Sequence, residues 1–268
     1  MQVKNALFYF LFNPFLKAYN TVFYSVRNTY LCFKIDYYRM KKNAVIIVAG
    51  GKGMRMQSVV PKQFIVLAGK PVLMHTLQRF YDFDKSLKLV LVLPQDQVDY
   101  WSDLCLKHQF DIQHDVVEGG DTRFHSVLNG LTRVGQVELV AVHDGVRPLV
   151  STETLERCFK AGHVSGAVVP VLDSVESIRQ VDGSKSVAVD RSKYKMVQTP
   201  QVFDANLLKA AYWQDYSPVF TDDASVVEHY WMSECMADRE IVLVEGNREN
   251  IKITTAFDLL VVEMLLSV

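Results

Sequence analysis

Three runs of consecutive apolar residues, Ala44 to Val48, Leu87 to Leu93 and Leu139 to Val142, constrain the fold of this chain more than any other feature. The first and third are continuously apolar, and the second is broken only by Lys88. That is the pattern of parallel strands covered on both faces, not of strands with one wet side. Each run stops abruptly, at Gly50-Gly51, at Pro94 and at His143-Asp144-Gly145. Helical stretches at Pro71 to Phe83, Gln95 to His108 and Thr122 to Val134 lie around them. The alternation predicts an α/β fold with a mostly parallel sheet and helices on both faces. Ligands of such sheets sit beyond the carboxyl ends of the strands, so chemistry is expected in the loops after Val48 and Val142.

Further on the rhythm breaks. Residues 171–197 alternate polar and apolar side chains around an Asp182-Gly183 turn, which predicts a projecting β-hairpin arm. Helices over Asp204 to Trp213 and Asp222 to Trp231, a strand at Ile241 to Val244 and a helix over Thr254 to Leu266 complete one domain spanning 40–268. Trp101, Trp213 and Trp231 fall on helices and are expected to pack rather than to bind.

Residues 1–39 are a different material. They hold 12 of the 27 Phe and Tyr residues, five bases and one acid, Asp36, with no steady hydrophobic period. Asn13, Pro14 and Lys17 interrupt the apolar run well before the roughly 20 residues a spanning helix needs. No small-residue cleavage site of the signal-peptide kind follows. The first expectation is a mis-assigned start, with translation beginning at Met40; the second is a peripheral amphipathic anchor. The whole chain carries 29 Lys+Arg against 30 Asp+Glu, so it lacks the basic excess of a nucleic-acid binder, and any phosphate site must be local. Cys32, Cys105, Cys158 and Cys235 form no CxxC pair, which speaks for reduced thiols in a cytoplasm rather than zinc or disulfides.

The loop after the first run reads Ala49-Gly50-Gly51-Lys52-Gly53-Met54-Arg55, with Pro61-Lys62-Gln63 following. Glycines there let backbone N–H groups close on a phosphate. A dinucleotide fingerprint would need a third glycine where Met56 stands, and a P-loop would need Gly-Lys-Ser/Thr. Arg55 and Lys62 supply a fork and a point charge suited to the negative charge of phosphoryl or nucleotidyl transfer. Taken alone, each candidate has a plainer reading: Asp144 as a turn former, Arg191 as a surface ion pair, Lys252 pointing to water.

The order of motifs narrows the choice. Gly-x-Gly-x-Arg with Pro-Lys-Gln, Gly-Gly-Asp-Thr-Arg at 119–123 with Ser126, His-Asp-Gly-Val-Arg-Pro at 143–148 and Val-Asp-Arg at 189–191 are followed by Gln-Thr-Pro-Gln at 198–201, Thr-Asp-Asp-Ala-Ser at 221–225 and Asn-Ile-Lys-Ile-Thr at 250–254. Together, over about residues 42–268, they resemble the 2-C-methyl-D-erythritol 4-phosphate cytidylyltransferase family. The resemblance implies a Rossmann-like fold of the nucleotide-diphospho-sugar transferase type and cytidylyl transfer from CTP to 2-C-methyl-D-erythritol 4-phosphate, giving the CDP-linked product and pyrophosphate, with Mg²⁺. It implies CTP contacts from Ala49, Gly50, Gly51, Gly53, Asp121 and Ser126, and catalytic roles for Arg55, Lys62, Arg191 and Lys252. Metal binding is implied for Asp144, and sugar-phosphate contacts for Asp144, Ser174, Arg191, Thr199, Thr221 and Lys252. A homodimer joined through the arm is implied, with no nucleic acid and no membrane unless residues 1–39 anchor it. Gly50 and Val146 stand where Ala is common in the family, and Ser174 where Thr is. A ribitol 5-phosphate cytidylyltransferase and a silent nucleotide-binding regulator are the alternatives.

Overall fold

The computed structural model describes residues 43–50, 60–236 and 238–267. The leader with its two readings, and Gly51, Gly53 and Arg55, lie outside the described residues. In chain order the elements are β1 (Ala44–Val48), β2 (Val66–Leu67), β3 (Lys70–Pro71), α1 (Val72–Phe83), β4 (Lys88–Leu93), α2 (Val98–Lys107), β5 (Asp115–Glu118), α3 (Arg123–Leu131), β6 (Leu139–Asp144) and α4 (Thr152–Ser165). There follow β7 (Ala167–Asp173), β8 (Ile178–Asp182), β9 (Lys185–Val189), β10 (Lys195–Val197), β11 (Gln201–Asp204), α5 (Ala205–Ala211), α6 (Asp223–Ser233), β12 (Val242–Glu245) and α7 (Ala256–Leu266).

The central sheet runs β10-β7-β11-β6-β1-β4-β5, with β12 on the other edge of β7. Strands β6, β1, β4 and β5 are mutually parallel, whereas β11 is antiparallel to both β6 and β7. The sheet is therefore the mostly parallel one expected, mixed at one side. Its apolar runs are continuous because each strand is covered twice. Ile47, Leu91 and Ala141 face Leu73, Leu77, Phe80 and Trp101, while Ile46, Val90 and Val142 face Phe124, Val127 and Leu131. Full burial of an Ile or Leu side chain contributes about 1.5–3 kcal/mol, so these few strands hold much of the core.

Register decides where the site lies. Val48 stands opposite Val92 on one side and Asp144 on the other, so the carboxyl ends of three strands finish at one level. The Gly145 amide donates to the Val48 carbonyl at 2.9 Å, and a Cβ on Gly145 would lie 2.8 Å from the Cβ of Ala49. Only glycine lets the two loops meet so closely.

The hairpin needs correction. Val171 and Leu172 belong to the core strand β7, paired with Val197 and Met196 of β10. Only β8 and β9 pair with each other as a separate ribbon, turning at Gly183 with φ +57°. Residues 167–171 are too uniformly apolar to leave a sheet covered on both faces. Trp213 is the second correction: α5 ends at Ala211, Tyr212 turns into the core, and Trp213 is 89% exposed. Trp101 and Trp231 are buried as expected. Among the described residues, no helix is long and apolar enough to cross a membrane.

Candidate active site

A cavity of about 280 Å³ opens at the carboxyl ends of β1 and β6. It is lined by Ala49, Gly50, Lys62, Asp121, Ser126, Asp144 and Lys252, seven residues singled out in the sequence, together with Gln63, Gly120 and Arg123. Ala49 is held there because its amide donates to the Val92 carbonyl at 2.9 Å. Across the cavity, Thr122 caps α3 by accepting from the His125 amide at 3.3 Å. Ser126, one turn in, accepts from the Gly120 amide at 3.1 Å and donates to the Thr122 carbonyl at 3.0 Å. A Cβ on Gly120 would collide with His125 at 2.4 Å, so the loop before α3 can fold this tightly only with glycine.

Asp144 is the electrostatic centre. It is the last residue of β6 and is buried. Its Oδ2 accepts from Arg147 Nε at 3.0 Å and lies 3.1 Å from Lys252 Nζ; its Oδ1 is 4.0 Å from Arg123 Nε. Burial by itself would raise this carboxyl, but the field of Lys252, Arg123 and Arg147 outweighs it and holds the group well below the usual carboxylate range. Asp144 is thus an anion at any physiological pH. Lys62 reaches the same wall, donating from Nζ to the Ile253 carbonyl at 2.9 Å, beside Lys252.

Behind these groups lies a buried support. Arg123 forks onto Asp223, with Nη1 to Oδ1 at 2.9 Å and Nη2 to Oδ2 at 2.6 Å, and Tyr212 donates to the same Oδ1 at 2.7 Å. Asp223 is fully buried. Arg147 also donates to the Asn250 carbonyl at 2.8 Å, which ties the β6 loop to the segment carrying Lys252. His143 is buried edge-on against Phe80, and burial pulls its pKa down to about 4, so the ring is neutral. Its Nε2 sits 3.0 Å from the Arg147 carbonyl, which can only accept, so that nitrogen carries the proton. Nδ1 then accepts from the Thr199 hydroxyl at 3.1 Å, and Thr199 in turn accepts from the Asp144 amide at 3.1 Å.

Among the described residues, four of those singled out do not line this cavity. Thr199 is buried behind Asp144 as just described. Thr221 is exposed before α6, its amide donating to Ser225 Oγ at 3.1 Å. Ser174 donates to the Glu176 carbonyl at 3.0 Å, and Arg191 hydrogen-bonds the Val175 carbonyl, both on the arm. Conversely, Arg123, Arg147, Asp223 and Gln63 were not singled out as site residues, although each stands inside a quoted motif. Their only sequence signal was that adjacency. Among the described residues, no cluster of three or more His, Cys, Asp and Glu side chains forms a metal site.

A family model described as 2-C-methyl-D-erythritol 4-phosphate cytidylyltransferase matches residues 43–268. The chain belongs to this family. It is similar to the 2-C-methyl-D-erythritol 4-phosphate cytidylyltransferase of Bacteroides fragilis, 56% identical over 221 residues that cover 82% of this chain and 98% of the relative. The same-named protein of Porphyromonas gingivalis is 50% identical over 227 residues, covering 85% and 99%. Among solved structures, 4-diphosphocytidyl-2C-methyl-D-erythritol synthase from Anaerococcus prevotii superposes with a TM-score of 0.71 at 29% identity, covering 85% of this chain and 99% of that one. The 2-C-methyl-D-erythritol 4-phosphate cytidylyltransferase of Thermus thermophilus gives 0.66 at 29% identity, covering 85% and 100%. The chain is accordingly a nucleotidyltransferase enzyme, and the expected fold and family of the sequence reading both stand.

Proposed function

We propose that this site transfers the cytidylyl group of CTP to 2-C-methyl-D-erythritol 4-phosphate, releasing pyrophosphate, in isoprenoid precursor biosynthesis. The observation that carries the reading is one ionised, buried carboxylate, Asp144, walled by Lys252, Arg147 and Arg123 at the end of the parallel strands. Such a site brings two polyanions together and neutralises the charge that grows between them. The nucleophile is a phosphate monoester, whose second pKa near 6 leaves it mostly dianionic at neutral pH, so no general base is needed. Lys62 and Arg55 stabilise charge developing at the α-phosphorus and on the departing pyrophosphate. Asp121 and Ser126, with Ala49, Gly50, Gly51 and Gly53, would contact CTP, and Lys252 would orient the incoming phosphate.

The residues fit a divalent cation with hard oxygen ligands. Asp144 is ionised, and among the described residues its Oδ1 accepts no hydrogen bond, so it retains a lone pair for Mg²⁺ beside the triphosphate oxygens. When bound, Mg²⁺ would supply Lewis-acid neutralisation of those oxygens. We further propose that residues 40–268 act as one domain in a cytoplasmic homodimer. The ribbon of β8 and β9 would bring Arg191 to the neighbouring site, with Ser174, Thr199 and Thr221 contributing to the sugar phosphate. Support for the arm's role is that Arg191 is exposed on the ribbon's base and does not line the cavity of its own chain. Burial pushes the thiols of Cys105 and Cys158 up to about 11 and about 12, so they are inert in a reducing compartment.

The deciding experiment is pyrophosphate release from CTP with each polyol phosphate. Methylerythritol 4-phosphate is expected to turn over much faster than ribitol 5-phosphate; the reverse order assigns the enzyme to the ribitol class, and CTP binding without any release makes it a silent regulator. Lys62→Ala is expected to lower kcat about 10²-fold while changing the KM for CTP only slightly, as for loss of a contact made mainly in the transition state. Unchanged turnover removes Lys62 from the catalytic set, and Arg55→Ala is read in the same way.

A further inference from the structure

Gln63 follows Lys62 and lines the same cavity, but its amide is turned onto the protein. Its side chain is 1% exposed, and its Nε2 donates to the Ala49 carbonyl at 2.9 Å and to Gln97 Oε1 at 2.7 Å. Both amide hydrogens are therefore used on acceptors, which fixes the orientation of the group, since the reversed amide would set oxygen against oxygen. The other end, Oε1, is buried and meets no donor among the described residues.

The contact joins parts of the site that are far apart in sequence. Ala49 is the first residue after β1 and leads into the glycine loop; its amide is already held by the Val92 carbonyl. The Gln63 amide takes the carbonyl of the same residue, so both polar groups of Ala49 are committed. Gln97 comes from the single-turn 3₁₀ helix Gln95–Gln97 after β4. On the far side of Gln63, Phe64 is 2% exposed, stacked near Trp101 at 6.2 Å between ring centres and edge-on to Tyr100 at 5.2 Å. The turn Lys62–Phe64 is thus pinned by an aromatic plug at one end and an amide clamp in the middle, with Lys62 projecting from its start.

We propose that Gln63 is a positioning residue for cytidylyl transfer, holding the Ala49 carbonyl at the root of the glycine loop and the Lys62 backbone in one frame. This rests on the reading of the cavity as a nucleotidyltransferase site. Reacting groups tolerate little displacement: an error of about 1 Å can cost on the order of 10²-fold in rate. The clamp keeps the Ala49 carbonyl and the Lys62 backbone at a fixed separation, through one side chain that holds the first directly and the second as its chain neighbour.

The test uses the full chain and the near-isosteric Gln63→Met, with Gln63→Glu and Gln63→Asn beside it. For Gln63→Met, kcat is expected to fall about 10²-fold with the KM for CTP changed less than about threefold, with a fall in Tm of a few degrees that leaves the chain folded at assay temperature. Amide hydrogen exchange at Gly50, next to the released carbonyl, is expected to quicken about tenfold. Gln63→Glu turns a donor into a carboxylate facing two acceptors, so its activity relative to the wild type is expected to rise as pH falls and the introduced group gains a proton. Gln63→Asn keeps the polar content but is one methylene short, and it is expected to show the same split between kcat and KM. Turnover within threefold of wild type for Gln63→Met, a loss carried by KM for CTP, or unchanged exchange at Gly50 each overturns the proposal. If the wild-type chain releases no pyrophosphate from CTP with either polyol phosphate, the functional reading falls, while the exchange rates still decide whether the clamp exists.

Discussion

Asp144→Asn is expected to lower kcat by about 10²–10³-fold, the range seen when one charge-stabilising contact is removed from a preorganised site. The substitution keeps the size of the side chain, so the core around β6 should stay packed. What it removes is the anion that Lys252 and Arg147 approach at 3.1 and 3.0 Å. The amide would also present a donor to two donors unless it rotates, so the two cations lose their common anchor and spread. Binding of CTP in the absence of metal is not expected to weaken, because three cations then face the triphosphate without a competing carboxylate. Parallel measurements of kcat, metal-free CTP affinity and Tm check this. Turnover within threefold of wild type, or a collapse of Tm that accounts for the lost activity, removes Asp144 from its proposed role.

Asp223→Ala is expected to be the most destabilising single change near the site. It deletes a fully buried carboxylate that holds Arg123 through two hydrogen bonds and also accepts from Tyr212. Removing one partner of a fully buried pair costs about 3–5 kcal/mol, and because Arg123 is 28% exposed to the cavity the lower end of that range applies, about 3 kcal/mol. For a domain of this size that corresponds to a fall in Tm of about 10 °C. Arg123→Leu added to Asp223→Ala should recover part of the loss, since the stranded charge is then gone. Strict additivity of the two single changes would show instead that the pair is not coupled. The double variant is expected to stay poorly active, because Arg123 also stands 4.0 Å from Asp144.

The legible parts of the molecule were those in which a local pattern and a long-range requirement coincide. Apolar runs ended by Gly, Pro or His-Asp-Gly marked β1, β4 and β6 to within a residue or two, because a strand covered on both faces cannot hide a polar position in its middle. The arm was placed too wide. Alternation of polar and apolar residues looks alike in a free ribbon and at the end of a sheet strand, and only the pairing of Val171 with Val197 separates them. Trp213 was misjudged because helical periodicity carries past a helix end; Tyr212 took the inward place, and the next side chain points to water.

The sequence by itself determined the fold class and, through the order of its motifs, the family, and it picked out the loops after Val48 and Val142 and the Arg, Lys and Asp residues proposed to handle phosphate. Tertiary structure alone decided which of them meet. Parallel register set Val48, Val92 and Asp144 at one level; chain reversal brought Lys252 from 108 positions away onto Asp144; and α6 delivered Asp223 beneath Arg123. No local pattern could show that Asp144 is shared among three cations or that Gln63 grips the root of the glycine loop. Those contacts join residues distant in sequence, and their strength comes from a burial that exists only after the sheet has closed over them.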